Sequence, residues 1–419
     1  MHALELTTAG ESHGPRLTAI VTGLPAGLTV DRAWVGAQLA RRQGGHGRSP
    51  RQQIETDTVE VSAGLRHGRT MGSPLAMHLA NRDHAASWNA AMAPWPTDEL
   101  QGNWRDRPIH VPRPGHADLG GIARHDFAED GLRPVLERAS ARETAARVAG
   151  GAVAQQLLAE LGIRVRGFVR ATGAAISDAP TPHEHDPCWE RIDDTALRTI
   201  DADADARMVA EVDAARADKD TLGGIVEVVA YGLPPGLGGF TTNHERLDGR
   251  LARAALAVHA MKSVSIGDGA DTGTMRGSAA HDELFPTADA DASLPAGAVG
   301  GDQGMGVTRR TNRAGGIEGG MTNGAPLVLR ISMKPLPTLM RPLATVDLST
   351  GEAAVAHAER SDTCAIAAAA IALECAVAFE LAALVREQFG GPSLGDMIDA
   401  FGSYRDRVRY PERAAIQLA

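Results

Sequence analysis

Apolar positions in this chain follow two patterns, which separate strands from helices. Short apolar or alternating runs predict strands, whereas apolar residues at helical spacing over ten or more positions predict helices. The predicted strands are 2–8, 17–21, 58–63, 74–80 and 328–333. The predicted helices are 32–42, 133–161, 245–262 and 364–389. Both kinds of element therefore occur along the whole chain.

Three short motifs recur in the same order in the first and second parts of the chain. The pairs are Gly23-Leu24-Pro25-Ala26-Gly27-Leu28 with Gly232-Leu233-Pro234-Pro235-Gly236-Leu237, Gly72-Ser73-Pro74-Leu75 with Gly324-Ala325-Pro326-Leu327, and Arg138-Ala139-Ser140 with Arg360-Ser361. Both members of a pair lie beside the same kind of predicted element. The repetition predicts an internal duplication about a pseudo-twofold axis.

The recurring motifs divide a single domain, 1–419, into two similar halves at about 1–165 and 223–390. A chain of this length exceeds the size at which one simple core stops growing, so a duplication is a reasonable expectation. The segment at about 178–206 is rich in Pro, Asp and His, and we expect it to be a surface insertion. The segment at about 286–305 is rich in Asp, Ala and Gly and predicts a flexible loop.

Net charge and cysteine usage narrow the functional class. The net charge of −10 argues against nucleic acid or an anionic membrane as a partner. Three widely spaced cysteines indicate neither a disulfide framework nor a zinc site, which suits a reducing cytosol. The apolar stretch 363–385 is long enough for a membrane span, but it contains Glu374 and Glu380, which are costly in lipid. We therefore predict a cytoplasmic protein in which this stretch is a buried helix.

Two histidines lie in loops that could present an imidazole to a ligand. His13 belongs to the turn Gly10-Glu11-Ser12-His13-Gly14, whose glycines allow close backbone approach, and its ring can titrate near neutral pH. His116 follows Gly115 in a loop that two prolines stiffen. The alternatives are a turn whose polar groups only satisfy the backbone, and a histidine merely hydrogen-bonded to Asp118.

Basic residues dominate one early segment of this acidic chain. No acidic residue occurs from 32 to 54, a stretch that contains Arg42, Arg48 and Arg51 among interleaved glycines. The arginine fork matches phosphate and carboxylate groups, so the segment predicts an anion site. A solvated basic loop is the alternative.

Two further segments bear on ligand binding. The stretch 312–324 is dense in glycine but carries apolar residues, which favours close approach of its backbone to a flat ligand. It is neither a dinucleotide-binding fingerprint nor a P-loop. The His, Asp and Cys residues within 183–188 have a metal-like spacing, but they lie in a Pro-rich acidic loop. We expect these side chains to be solvated and predict no metal site.

Five motifs resemble the chorismate synthase family, in order from about residue 5 to residue 390. They are Gly10-Glu11-Ser12-His13-Gly14, Pro112-Arg113-Pro114-Gly115-His116-Ala117-Asp118, Arg138-Ala139-Ser140-Ala141-Arg142, the stretch from Gly315 to Gly324, and Arg360-Ser361-Asp362. The resemblance implies an α+β fold of the β-α-β-α sandwich type and a homotetramer. It also implies a lyase that forms chorismate from 5-enolpyruvylshikimate 3-phosphate by 1,4-anti elimination of phosphate, the last step of the shikimate pathway. This reaction requires reduced FMN although it has no net redox change.

The resemblance also implies roles for individual residues. It makes His13 the proton donor to the departing phosphate, His116 a residue acting at the N1 side of the reduced flavin, and Asp362 a proton relay through flavin N5. It assigns Arg42 and Arg48 to the binding of NADPH. Contact with the substrate suits these two residues, and Arg51, equally well. The implied flavin contacts are Arg138, Ala139, Ser140, His259, Ala260, Gly319, Lys334, Pro335, Leu336, Pro337, Thr338 and Arg360.

Some positions depart from the family pattern. His259 stands where the family usually has Gln, and Pro337 replaces a common Ser, so flavin affinity stays open. The alternative functions are a non-catalytic protein that binds a phosphorylated metabolite and a flavin oxidoreductase that consumes reduced nicotinamide. Retention of His13, His116 and Asp362 favours the lyase, since a binding protein needs no proton relay. The acidic segments do not resemble a reductase module, so we expect no intrinsic flavin reductase activity.

Overall fold

The computed structural model describes residues 3–49, 56–95, 108–126, 130–286, 305–357 and 361–408. Its strands are β1 (Glu5–Ala9), β2 (Arg16–Thr22), β3 (Val59–Ala63), β4 (Leu65–Arg66), β5 (Arg69–Thr70), β6 (Leu75–Ala80), β7 (Arg164–Thr172), β8 (Ala175–Ile176), β9 (Gly224–Tyr231), β10 (Met261–Ile266), β11 (Leu284–Pro286), β12 (Val307–Arg309), β13 (Ile317–Glu318), β14 (Met321–Thr322), β15 (Leu327–Met333), β16 (Ala344–Val346) and β17 (Ala353–Val355). Its α-helices are α1 (Arg32–Gln43), α2 (Asp118–His125), α3 (Arg133–Arg138), α4 (Thr144–Ala159), α5 (Cys188–Arg191), α6 (Ala202–Ala217), α7 (Leu247–Leu256), α8 (Gly277–Ala280), α9 (Ile366–Phe389) and α10 (Leu394–Arg407). The predicted flexible loop at about 286–305 lies outside the described residues except at its two ends.

Most predicted elements are confirmed, with boundaries within a few residues, but the predicted helix 245–262 extends too far: α7 ends at Leu256, and β10 begins at Met261. Asp31 caps α1 by accepting a hydrogen bond from the Ala33 N–H, as its position before the helix suggested. The predicted continuous helix 133–161 is wrong. It is divided into α3 and α4, because Ala139 and Ser140 leave the helical conformation and Ser140 caps a short 3₁₀ turn, Ala141–Glu143.

The two main sheets share one order of strands. The first sheet has the order β1-β2-β6-β3, and the second has β7-β9-β15-β10, with β8 added at its β7 edge. In each sheet all neighbouring strands are antiparallel. Of the four main strands of each sheet, the third in chain order (β3 or β10) lies at the edge and pairs with the fourth (β6 or β15). The description α+β therefore holds for the described residues.

A pair of buried threonines strengthens this correspondence. Thr70 donates to the Pro25 carbonyl at 2.6 Å and accepts from the Leu28 N–H at 2.9 Å. Thr322 donates to the Pro234 carbonyl at 2.6 Å and accepts from the Leu237 N–H at 2.8 Å. Each threonine thus closes the same Pro-Gly loop in its own half.

Two long helices pack against each other between the sheets. α4 contacts β1, β2 and β6 of the first sheet, and α9 contacts β7 and β9 of the second. α9 is long and apolar enough to cross a membrane, with a mean hydropathy of 2.1 in its most apolar window, but 89% of that window is buried inside the protein. The predicted buried helix is therefore confirmed.

The segment at about 178–206, which we expected at the surface, covers the outer face of the second sheet. Trp189 and Ile192 from this segment are buried against Phe168, Tyr231 and Val328 of the strands. The Tyr231 hydroxyl donates to the Pro182 carbonyl at 2.6 Å. The segment therefore adds a small second apolar cluster to the sheet.

We predict that Gly151→Ala destabilises the protein by about 1 to 3 kcal/mol, because a methyl group there overpacks the contact between α4 and α9. An added Cβ at Gly151 would lie 2.4 Å from the Cys375 Cβ and 2.6 Å from the Cys375 carbonyl oxygen. Chemical denaturation measures the effect. The matched control is Gly36→Ala in α1, where an added Cβ meets nothing within 4 Å, so stability should stay equal or rise by up to about 1 kcal/mol. Equal effects of the two substitutions would contradict this account.

Candidate active site

The interruption between α3 and α4 is the centre of the site. At Ser140 the backbone is extended (φ −94°, ψ 142°), and its hydroxyl accepts from the Arg142 N–H at 3.3 Å. The carbonyl of Glu137 is consequently available outside the helix, where it accepts from the Ser12 N–H at 2.9 Å. The Ser140 hydroxyl also donates to the Ser12 hydroxyl at 3.1 Å. The break therefore joins this segment to the first turn of the chain.

His13 is held by the side chain of Glu137. Its Nδ1 lies 2.9 Å from Glu137 Oε1, and its backbone N–H donates to Glu137 Oε2 at 2.9 Å. The imidazole stacks on Trp88 with ring centroids 4.1 Å apart. His84 hydrogen-bonds to the His13 carbonyl through Nδ1 at 2.9 Å. No described residue hydrogen-bonds to Nε2 of His13, and this side chain keeps 20% of its surface exposed.

A buried carboxylate beside this turn joins two arginines. Asp57 accepts from Arg142 at 2.6 Å and lies 3.5 Å from Arg42. Arg42 also donates to the Thr144 hydroxyl at 2.9 Å and to the Ala141 carbonyl at 3.0 Å. Burial lowers the pKa of Arg42 to about 10, which leaves it charged at neutral pH. Arg42 is 5% exposed, and its guanidinium group is bound by groups of the protein.

In the folded chain, Asp362 contacts Arg48 and Ser49 of the predicted anion-binding segment 32–54. Its carboxylate accepts from the Ser49 N–H at 2.7 Å and pairs with Arg48 at 2.8 Å. The Nε of Arg48 is buried and has no hydrogen-bond partner among the described residues. Arg51 and Arg360, two further predicted site residues, lie outside the described ranges.

His116 is also held by a carboxylate, but unlike the ring of His13 it has a neighbour at both nitrogens, since Nη2 of Arg113 lies 3.1 Å from Nδ1 and 3.2 Å from Nε2. Its Nδ1 makes a short hydrogen bond with Asp118, which also accepts from Arg113 at 3.1 Å. Burial would raise the pKa of Asp118, but these hydrogen bonds and the charge of Arg113 lower it to about 2. The alternative of a histidine hydrogen-bonded to Asp118 is therefore realised, and it is compatible with a ring presented to a ligand. Arg113 also donates to the Thr338 hydroxyl at 3.1 Å.

The predicted flavin-binding segment 334–338 lies against the His116 loop. The ammonium group of Lys334 donates to the Gly115 carbonyl, and its backbone N–H donates to the Ala260 carbonyl at 3.0 Å. The Ser361 hydroxyl donates to the Thr338 carbonyl at 2.6 Å, which joins the segment to the residue before Asp362. An added Cβ at Gly115 would lie 3.7 Å from Pro337, so these two positions are neighbours.

His259 faces the start of α4. Its Nδ1 lies 3.7 Å from the buried Glu143, beyond hydrogen-bonding distance, and has no partner among the described residues. Burial lowers the pKa of His259, and the charges of Arg147, Arg138 and His116 act in the same direction. His259 is followed by Ala260, whose backbone is left-handed with φ +69°.

The remaining predicted flavin contacts differ in their surroundings. Arg138 bonds the carbonyls of Thr8 and Gly10, both at 3.0 Å, so it ties α3 to the end of β1. Gly319 lies in the turn between β13 and β14, where the Gly320 carbonyl accepts from the first N–H of α7. Since α7 is about 15 Å long and His259 follows its other end, the chain does not bring Gly319 next to the other predicted contacts.

Sequence reasoning missed several side chains of this site, including Glu137, Asp57 and Trp88. One signal existed for Glu137: in a helix it shares a face with Ala141, Thr144 and Val148, and a carboxylate among such residues needs a buried partner. In the described parts of the chain, no group of three His, Cys, Asp or Glu side chains could hold a metal ion.

The chain matches known proteins over most of its length. The family model described as chorismate synthase matches residues 4–385. The chain is 48% identical over 402 residues to the chorismate synthase of Symbiobacterium thermophilum, covering 96% of this chain and 98% of that protein. It is 47% identical over 419 residues to the chorismate synthase of Mycobacterium marinum, covering 98% of each.

A solved structure extends the comparison to three dimensions. The chain resembles a protein described as "Crystal Structure of Chorismate Synthase", with a TM-score of 0.73 and 32% identity. The match covers 98% of this chain and 99% of that one. On the family model and these relatives, the chain belongs to the chorismate synthase family, whose enzymes eliminate phosphate from 5-enolpyruvylshikimate 3-phosphate to give chorismate.

Proposed function

We propose that this chain performs the family's elimination at the junction of α3 and α4, with His13, His116 and Asp362 as catalytic residues. The observation that carries the proposal is that two imidazoles are each held at Nδ1 by a buried carboxylate, next to a group of arginines. Such an arrangement suits proton transfer beside an anionic ligand. A binding protein would need the arginines alone.

The charge balance near His13 suits an anionic substrate. Three guanidinium groups, from Arg42, Arg48 and Arg142, surround two carboxylates, from Asp57 and Asp362. The balance of these five groups is one positive charge, and the buried Nε of Arg48 offers a further donor. We assign Arg48 to the substrate rather than to NADPH, and Arg42, which is buried, to support of the anion site. Arg51 stays a proposed substrate contact.

His13 is the proposed proton donor to the departing phosphate. Because Nδ1 faces Glu137, the proton available to a ligand is the one on Nε2. A proton or strong hydrogen bond delivered to the bridging oxygen stabilises the charge that develops as the carbon–oxygen bond breaks. His116 and Asp362 are the proposed residues that hold and relay a proton on the cofactor side of the substrate.

Reduced FMN is the proposed cofactor, and the side chains present are compatible with it. The Nδ1 of His259 is buried without a partner, as expected of an atom that a ligand satisfies, and Lys334 adds an ammonium group nearby. The residues that would hold it are 138–140, His259, Ala260, 334–338 and Arg360. When bound, reduced FMN supplies an electron transiently and accepts the ring proton, with no net redox change.

We further propose that the protein is a cytoplasmic homotetramer whose subunits are duplicated sandwiches, with α4 and α9 in the two layers between the sheets rather than in the β-α-β-α order that the resemblance implies. The equal strand orders of the two sheets and the matching bonds of Thr70 and Thr322 support the duplicated sandwich. The hairpin formed by β16 and β17 leaves apolar side chains in solvent, including Val355 at 64% exposure, which supports assembly. Gly319 lies apart from the other flavin contacts, so its proposed contact would come from a neighbouring subunit.

The decisive experiment is an anaerobic assay. Purified protein, dithionite-reduced FMN and 5-enolpyruvylshikimate 3-phosphate are mixed, and phosphate release and chorismate absorbance are followed together. We expect equal amounts of both over many turnovers per flavin. Binding of the substrate without product would indicate a binding protein, and consumption of reduced nicotinamide in proportion to product would indicate an oxidoreductase.

We predict that His13→Ala lowers kcat by about 10²- to 10⁴-fold, because the departing phosphate loses its proton donor. The binding of reduced FMN, measured by titration, should change little. The matched control is His78→Ala, whose ring lies on the outer face of the first sheet between Thr18 and Ser62 and should not affect kcat. Equal rates for His13→Ala and the unmodified enzyme would remove His13 from the mechanism.

We predict that Asp118→Asn lowers the free energy of unfolding by about 2 kcal/mol at pH 7. The pKa of Asp118 is lowered to about 2 in the folded protein, so its contribution is complete above about pH 4 and is lost as the pH falls through 2. Urea denaturation between pH 7 and pH 3 should therefore show a difference that shrinks below pH 4. The exposed Asp218→Asn is the control, and a difference independent of pH would contradict the assignment.

A further inference from the structure

We propose that Glu137 is the positioning residue that decides which nitrogen of His13 faces the substrate. This inference rests on the proposed role of His13 as proton donor. Three hydrogen bonds join Glu137 to the turn: its carboxylate accepts from the His13 N–H and contacts Nδ1, and its carbonyl accepts from the Ser12 N–H. One buried residue therefore sets the backbone and the ring of His13 together.

Stacking and hydrogen bonding have separate effects on this ring. The Trp88 ring lies 4.1 Å from the imidazole at an interplanar angle of 24°, which sets the plane of His13. A half-turn of the imidazole would keep that stack but would move Nδ1 away from the carboxylate. The hydrogen bond to Glu137 is therefore what selects the Nδ1–H form and leaves Nε2 for the ligand.

The carboxylate of Glu137 is the nearest charged group to the ring of His13. The carboxylate is 2% exposed, and a buried carboxylate is stable only beside donors or cations. The charged or titratable groups around His13 are Glu137 and Arg133 from α3 and His84 from the turn that carries Trp88. Arg133 lies 3.8 Å from Glu137, farther than the 2.9 Å of the imidazole. The closest ionic partner of the ring is thus the carboxylate.

An amide cannot replace this carboxylate. Oε2 of Glu137 accepts from the His13 N–H at 2.9 Å and lies 3.1 Å from Nδ1, while Oε1 lies 2.9 Å from Nδ1, whereas glutamine presents a single acceptor oxygen and an N–H donor. In Glu137→Gln, therefore, the amide nitrogen faces either the His13 N–H or the Nδ1–H, and a donor meets a donor in both arrangements. The negative charge of the carboxylate is lost in both cases.

The test compares Glu137→Gln, Glu137→Asp and the exposed control Glu160→Gln in the anaerobic assay. We expect Glu137→Gln to lower kcat on the order of 10- to 100-fold, since small displacements of reacting groups have effects of this size. KM and binding of reduced FMN should change less than about twofold. Glu137→Asp keeps both acceptor oxygens and should lose less activity than Glu137→Gln.

Two results would overturn the proposal. One is a kcat in Glu137→Asp as low as in Glu137→Gln, together with a lowered melting temperature in both variants, which indicates a purely structural carboxylate. The other is a kcat equal to that of the unmodified enzyme.

A second measurement does not depend on the folding of any Glu137 variant or on activity. Solid-state NMR of protein labelled with ¹⁵N-histidine, in which His13 is identified by its loss in His13→Ala, should show that the neutral form of the ring carries its proton on Nδ1. A neutral ring protonated at Nε2 instead would disprove the role of Glu137. If the unmodified enzyme makes no chorismate, the proposed function fails, while this measurement still decides what Glu137 does to His13.

Discussion

The break between α3 and α4 is the constraint on which the site depends. In a continuous helix the carbonyl of Glu137 would accept from residue 141, but the break leaves it to Ser12. The same segment bonds the end of β1 through Arg138 and the last turn of α1 through Thr144. Straightening this segment would therefore release the first turn, the first strand and the basic end of α1 together.

The break also explains why the arginines of the site are already ordered. Arg42 and Arg142 share Asp57, and Arg48 pairs with Asp362, so each guanidinium is held by a carboxylate before any ligand arrives. Groups held in this way need no reorganisation when charge develops on a reacting oxygen. The cost is that none of these three arginines is wholly available to the substrate, which must share each of them with the protein.

The sequence predicts the elements and the two imidazole loops well, because periodicity, prolines and glycines act locally. It does not predict the break at Ser140, since Ala139, Ser140 and Ala141 are compatible with a helix. The residue that bonds this segment in place of a helical partner is Ser12, which lies 128 positions from Ser140 in the chain. The sequence does not predict the role of Glu137 for the same reason, because His13 becomes its neighbour only in the folded chain.

The two halves keep the same threonine bonds, at Thr70 and Thr322, yet their serines at the second helix have different tasks. Ser140 bonds the turn that carries His13, whereas Ser361 bonds the strand exit at Thr338. In a dimer of identical chains, any substitution would appear at both equivalent positions. Within one polypeptide, Ser140 and Ser361 are separate positions, so a substitution at one of them leaves the other as it was.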